Sequence, residues 1–354
     1  MRKKKLMAII GARPQFIKHA PLEIAAQKEF DFVTVHTGQH YDYRMSQIFF
    51  DELKMSRPAY NLNAGSGGHG AQTGKMMADL EPIMENEKPD GVLVYGDTNS
   101  TLAGALVASK LHIPVYHVEA GLRSYNREMP EEINRVLTDH VSSVLFVPTQ
   151  QAIWNLEKEG ITKNVYQIGD VMYDMIDICR KNNILQKDEE VFGKFYYATI
   201  HRPYNTDNDE RLLRILEAFE QLPYPVDFAV HPRTLKRIST LSDTTKFNNI
   251  HFLEPVSYFD SIRKIHNSRA VITDSGGLQK EAYMLEKKCV TLRSETEWVE
   301  TLQNNWNSLV FDKIEDILTE VESPVGDYIP ALYGDGTAAN EIIEILANLK
   351  TPVL

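Results

Sequence analysis

The stretch Leu6–Lys18, LMAIIGARPQFIK, decides the architecture. Five apolar residues, Leu6 to Ile10, run without interruption into the turn Gly11-Ala12-Arg13-Pro14, and a helix start follows. An unbroken apolar run of strand length suits a strand covered on both faces, and a glycine turn leading into a helix completes half of a βα unit. Short apolar runs alternate with longer amphipathic stretches from there to the end of the chain, which predicts helices wrapped around parallel sheets.

Working outward, the first half offers six strands: Leu6–Gly11, Phe32–Thr37, Gly91–Tyr95, Val115–Val118, Val144–Val147 and Val165–Ile168. A second series follows at Phe195–Ile200, Val226–Val230, Ile250–Leu253, Ala270–Thr273, Val290–Leu292 and Ser308–Phe311. Each series makes one doubly wound sheet. The charged run Lys187-Asp188-Glu189-Glu190 closes a hinge near residues 170–190. The expected fold is therefore α/β, with two Rossmann-like domains at 1–175 and 176–354. The last amphipathic stretch, Ala338–Leu349, can pack on either. A chain of 354 residues divides comfortably into two domains of about 170 to 180 residues.

Composition narrows the partners. Hydrophobic residues are 43% and charged residues 25%, a globular balance with material for two cores. The net charge of −11 disfavours nucleic acid and anionic membranes, which recruit basic faces. No window reaches the roughly 18 to 20 apolar residues needed to span a bilayer, and the basic start Met1–Lys5 leads into a strand rather than a signal peptide. Two cysteines, Cys179 and Cys289, make neither a disulfide framework nor a metal site. A cytoplasmic location is expected.

Ligands of open α/β sheets bind beyond the carboxyl ends of the strands, so the residues after each apolar run are the candidates. Arg13 and Lys18 flank the first turn and could meet a phosphate at a helix start. Asp97, in Gly96-Asp97-Thr98-Asn99-Ser100-Thr101, and Glu119, in His117-Val118-Glu119-Ala120-Gly121-Leu122-Arg123, place carboxylates at two further strand exits. Glu131 and Glu132 open a helix behind Pro130, where acids also serve merely to offset the helix dipole. In the second half, His201-Arg202-Pro203 follows one strand. Asp274-Ser275-Gly276-Gly277-Leu278-Gln279-Lys280-Glu281 follows another: a glycine turn whose amides suit a diphosphate, with a carboxylate one turn in for ribose hydroxyls. Arg293 stands at the next exit, and His231 is either a ligand contact or a structural strand-end histidine.

Ten motifs in order, GARPQFIK, TGQHYD, GDTNST, HVEAGLRS, MPEEINR, GDVMYD, TIHRPYNTD, HPRT, DSGGLQKEA and LRSETEWVET, resemble the non-hydrolysing UDP-N-acetylglucosamine 2-epimerase family over nearly the whole chain. The resemblance implies the GT-B type of fold, with the active site in the cleft between the domains. It implies that Asp97, Glu119 and Glu131 are the catalytic carboxylates and that Arg135 and His201 are further active-site residues. Arg13, Lys18, Ser275, Gly276, Gly277, Glu281 and Arg293 would hold the UDP-sugar. It also implies a homodimer that uses neither metal nor nicotinamide. The family's reaction takes the hydrogen from C2 while UDP leaves C1, forms 2-acetamidoglucal, and re-adds UDP with a proton on the other face. Such a reaction needs an acid and a base on opposite sides of the ring.

Two motifs depart from the commoner glucosamine enzymes. GARPQ stands where GTRPE is usual, and Thr296-Glu297-Trp298-Val299-Glu300 where TERPE is usual. Both variants look like the branch acting on UDP-2,3-diacetamido-glucuronate, whose carboxylate would call for another cation from Arg44, Lys280 or Arg233. Around Gln39, His40 and Gly65–Gly70 the chain departs from the pattern linked to activation by a second UDP-GlcNAc. A UDP-sugar glycosyltransferase, a hydrolysing epimerase and a non-catalytic nucleotide-sugar sensor stay open as rival readings.

Overall fold

The structure, a computed structural model, describes residues 3–38 and 55–349, with backbone only at Arg13. Gln39, His40, Arg44 and the QHYD portion of the second motif lie outside the described residues. The chain forms two compact units: Met1–Asp177 with Ala331–Leu354, and Ile178–Pro330.

Among the described residues the first unit holds a seven-stranded parallel sheet: β1 (Lys4–Ile10), β2 (Phe30–His36), β3 (Tyr60–Asn61), β4 (Gly91–Tyr95), β5 (Val115–Val118), β6 (Val144–Val147) and β7 (Val165–Gln167). Their order is β3-β2-β1-β4-β5-β6-β7. One strand is added to the six expected. Tyr60–Asn61 pairs with the end of β2 and is too short to leave a periodic signal in the sequence. Central β1 is buried from Leu6 to Ile10, at 2% exposure or less. Met7 and Ile9 pack with Val35, Val92 and Val94 against Met76, Leu80 and Met84, which repeat every fourth residue along the helix His69–Glu87. Burying one such side chain contributes about 1.5 to 3 kcal/mol.

The second unit carries six parallel strands among the described residues: β8 (Tyr196–Thr199), β9 (Val226–Ala229), β10 (Ile250–Leu253), β11 (Ala270–Thr273), β12 (Lys288–Thr291) and β13 (Asn307–Leu309), ordered β10-β9-β8-β11-β12-β13. Ile215, Phe219, Phe228, Ile272 and Val290 belong to its core. In both sheets the winding reverses beside the first strand of the series, between β1 and β4 and between β8 and β11. These reversal points are where a doubly wound sheet opens a crevice for ligand.

The helix Ala338–Asn348 returns to the first unit, burying Ala339, Ile342, Ile343 and Leu346. Lys4 Nζ donates to the carbonyls of Leu346, Ala347 and Leu349 at 3.1 to 3.4 Å, the cation that a helix C-terminus favours. The return crossing is tight. A Cβ on Gly169 would lie 2.8 Å from both Gly334 Cα and the Tyr333 carbonyl oxygen, and Gly169 and Gly334 have φ of +79° and +89°, so both positions require glycine.

Beside that crossing, Asp174 Oδ1 accepts the amide of Ala339 at 2.9 Å. Burial pushes its carboxyl up to about 7, with Asp170 adding to the rise while backbone amides oppose it. The folded chain thus keeps a proton that the unfolded chain releases. The resulting stability is full below the ordinary carboxylate value and is lost as pH rises through about 7, at up to about 1.4 kcal/mol per pH unit. Asp174→Asn, which keeps an oxygen for Ala339, is expected to flatten the fall in Tm between about pH 4 and pH 7. Equal slopes for variant and wild type in differential scanning fluorimetry would contradict this.

Candidate active site

In the first unit the chemistry starts at the exit of β1. A Cβ on Gly11 would lie 2.1 Å from Thr37 Oγ1 and 2.3 Å from Ser100 Oγ, so glycine is what lets those two hydroxyls meet at 2.8 Å. Gln15 ties this turn to the exit of β4. Its Oε1 accepts the amides of Gly11 (2.8 Å) and Ala12 (3.1 Å), and its Nε2 donates to Tyr95 O and Thr101 Oγ1, both at 3.0 Å. An ionised glutamate there could accept but not donate, which gives the GARPQ variant a structural reason.

One turn further along the same helix, Lys18 Nζ lies 2.6 Å from Glu119 Oε1, with side chains 8% and 7% exposed. Glu119 has a φ of +68°, a left-handed conformation that a non-glycine residue adopts at a cost, as functional turns often do. Gly96 packs onto this pair: a Cβ there would meet Lys18 Nζ at 3.2 Å and Glu119 Oε1 at 3.5 Å. The next residue, Asp97, is more open at 27% and lies 2.5 Å from Arg135 Nη2. Asn134 Nδ2 donates to the Asp97 carbonyl at 2.9 Å and to Asn99 Oδ1 at 3.1 Å.

The adjacent acids of the helix Pro130–Val141 part ways. Glu132 is buried and accepts the amides of Ser124 and Tyr125, both at 2.9 Å, and Arg135 Nη1 at 3.0 Å. It is a loop anchor. Glu131 stays half-buried beside it. The first unit therefore brings Lys18, Glu119, Asp97 and Arg135 to neighbouring strand exits at the reversal point, with Glu131 on the helix that carries Arg135. Arg13 is the first residue of the helix Arg13–Ala26, and its side chain lies outside the description.

In the second unit the exits of β8 and β11 meet on Asp274, which is fully buried. Its carboxylate accepts the amides of His201 (3.0 Å) and Arg202 (2.9 Å) and Asn205 Nδ2 (2.9 Å), and His201 Nδ1 lies 3.0 Å away. Burial pushes this carboxyl up, but the His201 side chain, Asn205 and the Arg202 amide outweigh it and hold the group below its ordinary value. With Nδ1 turned to Asp274, the His201 ring is 55% exposed.

Ser275 caps the helix Gly276–Met284 through the Leu278 amide. A Cβ on Gly276 would lie 2.6 Å from Glu297 Oε1, so a larger residue there would displace that carboxylate. Gly277 lies in the first turn, Glu281 is buried one turn on, and Arg293 pairs with Glu297 at 2.8 Å. Lys280 Nζ stacks 3.8 Å from the Trp298 ring centroid and is 1% exposed. Arg233 is an exposed surface cation paired with Asp207 at 3.1 Å, and His231 caps the helix that follows it through the Arg233 amide.

Sequence reasoning passed over Gln15, Asp274 and a histidine and aspartate under the first site, His117 and Asp139. A polar residue inside the apolar run Val115–Val118 was the available signal for His117. Among the described residues no group of three or more His, Cys, Asp or Glu is placed to hold a metal ion, and no helix is long and apolar enough to cross a membrane.

Residues 22–347 match the family described as UDP-N-acetylglucosamine 2-epimerase. The chain is 48% identical to a UDP-N-acetylglucosamine 2-epimerase homolog of Methanococcus maripaludis, over 98% of this chain and 100% of that one. It is 44% identical to the UDP-2,3-diacetamido-2,3-dideoxy-D-glucuronate 2-epimerase of Pseudomonas aeruginosa, with the same coverage. The crystal structure of Methanocaldococcus jannaschii UDP-GlcNAc 2-epimerase in complex with UDP-GlcNAc and UDP superposes with a TM-score of 0.86 at 43% identity, covering 97% of this chain and 99% of that one.

Proposed function

Because the chain belongs to the UDP-N-acetylglucosamine 2-epimerase family, we propose that it interconverts UDP-GlcNAc and UDP-ManNAc by elimination and re-addition of UDP, for surface polysaccharide precursors. A carboxylate of the first unit takes the proton from C2 as the bond from C1 to the diphosphate breaks, leaving 2-acetamidoglucal. The diphosphate oxygen then re-forms the bond to C1 while C2 receives a proton on its other face. The observation that carries the reading is the pair of acid–cation contacts at the reversal point, Glu119 with Lys18 and Asp97 with Arg135. Two carboxylates in different surroundings, one nearly buried and one open, can divide the roles of base and acid, with Glu131 as the third carboxylate. Ser275, Gly276, Gly277 and Glu281 hold UDP, and Arg13, Arg293 and His201 stabilise the departing diphosphate.

One observation supports a second substrate: the Glu297-Trp298-Val299 variant in the sequence resembles the branch acting on UDP-2,3-diacetamido-glucuronate, which the same chemistry would turn over. NMR of the purified protein with each sugar nucleotide in turn decides between them. An equilibrium of UDP-GlcNAc with UDP-ManNAc is expected. Turnover of the uronate alone would select the second substrate, free N-acetylmannosamine plus UDP would select hydrolysis, and silence with both would end the reading.

The working form in this reading is a cytoplasmic homodimer. Tyr125, Ile133 and Leu137 are exposed by 63%, 47% and 43% and line one concave surface, an apolar area that a second copy would cover. Two buried free thiols, Cys179 and Cys289, fit a reducing compartment. Light scattering of the same sample is expected at twice the 40.4 kDa chain mass. A monomer, or recovery with membranes on fractionation, would count against this form.

A further inference from the structure

Beneath both acid-bearing turns of the first unit lies a polar group that the reaction just described does not use. His117, the third residue of β5, is fully buried. Its Nε2 lies 2.8 Å from the carbonyl oxygen of Gly96, and its Nδ1 lies 2.7 Å from Asp139 Oδ1. Gly96, with a φ of +61°, immediately precedes Asp97, and its amide donates to Val118 O at 3.0 Å. The turn that presents Asp97 is thus fixed at one end by the β5 backbone and at the other by the His117 ring.

Asp139 carries the connection onward. Its Oδ2 accepts the Gly121 amide at 3.1 Å and Arg123 Nη1 at 2.7 Å. Gly121 has a φ of +79° and ends the turn that Glu119 begins. Arg123 in turn binds both oxygens of Glu159 through Nε and Nη2, at 2.7 and 2.8 Å. Asp139 also belongs to the helix Pro130–Val141, which bears Glu131 and Arg135. One buried carboxylate therefore joins three separate pieces of chain: the turn of Asp97, the turn of Glu119 and the helix of Glu131.

The hydrogen bonds settle the charge of the ring. A backbone carbonyl can only accept. Asp139 already accepts the Gly121 amide and Arg123 Nη1, and although burial raises its carboxyl the Arg123 guanidinium opposes that rise, so the group is a carboxylate and also only accepts. Both ring nitrogens must then carry protons. The charges on the elements packed there balance within the cluster: His117 and Arg123 against Asp139 and Glu159, with His140 Nδ1 at 3.7 Å from Glu159 on the outer side and the Lys18–Glu119 pair beyond Gly96. Balanced, hydrogen-bonded charge is the form in which ions are tolerated in a protein interior.

We propose that His117 is a positioning residue, held as a buried imidazolium, that sets the spacing of Asp97 and Glu119 by fixing the Gly96 turn directly and the Glu119–Gly121 turn through Asp139. The proposal rests on the epimerase reading for its catalytic consequence, though not for its charge state. Misplacing a reacting group by about 1 Å costs on the order of a hundredfold in rate, so His117→Gln, which can satisfy only part of the ring's geometry, is expected to lower kcat about ten- to a hundredfold. KM and the affinity for UDP, which the second unit grips, stay near wild type. Asp139→Asn acts in the same direction, and the double variant is little worse than the poorer single one.

Two measurements keep this testable whether or not the variants fold. In wild-type protein with 15N-labelled histidine, both nitrogens of the His117 ring are expected to report as protonated. The Gly96 and Gly121 amide resonances are expected to shift in His117→Gln. A neutral His117 ring, or His117→Gln with wild-type kcat and only a lower Tm, would overturn the proposal. A wild-type protein that fails to epimerise would overturn the epimerase reading instead, leaving the ring measurement to decide this one.

Discussion

Glu119→Gln lowers kcat by about 10²- to 10⁴-fold, the share ordinarily supplied by a positioned general acid or base. The amide is nearly isosteric and keeps an oxygen for Lys18 Nζ, 2.6 Å away in the wild type. What it removes is the ability to take up and return a proton. KM and UDP affinity are expected to stay within a few fold, since the proposed UDP grip lies in the second unit and the lost interaction would belong to the transition state. Asp97→Asn is the natural comparison. Its carboxylate is more open and is bonded to Arg135, so the two variants should differ in their pH–rate profiles if the acids divide the roles. Steady-state kinetics with a coupled UDP-sugar assay checks this. A variant of lower Tm with unchanged kcat would reduce Glu119 to a partner for Lys18.

The second large effect is on stability. Asp274→Ala is expected to cost about 3 to 5 kcal/mol, the range for removing one member of a buried charged network. The side chain is fully buried and serves the His201 and Arg202 amides, Asn205 Nδ2 and His201 Nδ1. Its loss leaves the His201 and Arg202 amides without this acceptor and frees the His201 ring. Because the folded carboxyl sits below its ordinary value, its contribution is present above the ordinary carboxylate range and disappears as pH falls through the folded value, so the gap between variant and wild type should close in acid. Trp298 and Trp306 lie in the second unit, so urea unfolding followed by tryptophan fluorescence reads it. A loss below about 1 kcal/mol would contradict the network.

Much of the fold was legible because central parallel strands must be apolar on both faces, and Leu6–Ile10, Gly91–Tyr95 and Ala270–Thr273 read that way. The candidate acids were legible because doubly wound sheets present ligands at strand exits, where Asp97 and Glu119 stand among apolar runs. Other features left no local signal. The two-residue β3 has no period. The apolar face of Ala338–Asn348 announces that something covers it but does not say which sheet, and the Lys4 contacts that answer this come from the opposite end of the chain.

Glu131 and Glu132 are adjacent acids whose different surroundings depend on a loop, Ser124–Tyr125, that only the fold brings near. Lys280 reads as a spare cation in the sequence, yet it lies on the Trp298 ring eighteen residues away in the chain. Asp139 reads as one more acid of an amphipathic helix, and its tie to His117 and Gly121 exists only once β5 and that helix are packed together.

The central claim is that the first unit's carboxylates remove and return the hydrogen on C2. Wild-type protein incubated with UDP-GlcNAc in D2O to equilibrium, with C2 of both epimers read by proton NMR and mass spectrometry, tests it most directly. One deuterium at C2 in the product is predicted. Epimerised product that retains protium at C2 would contradict the account.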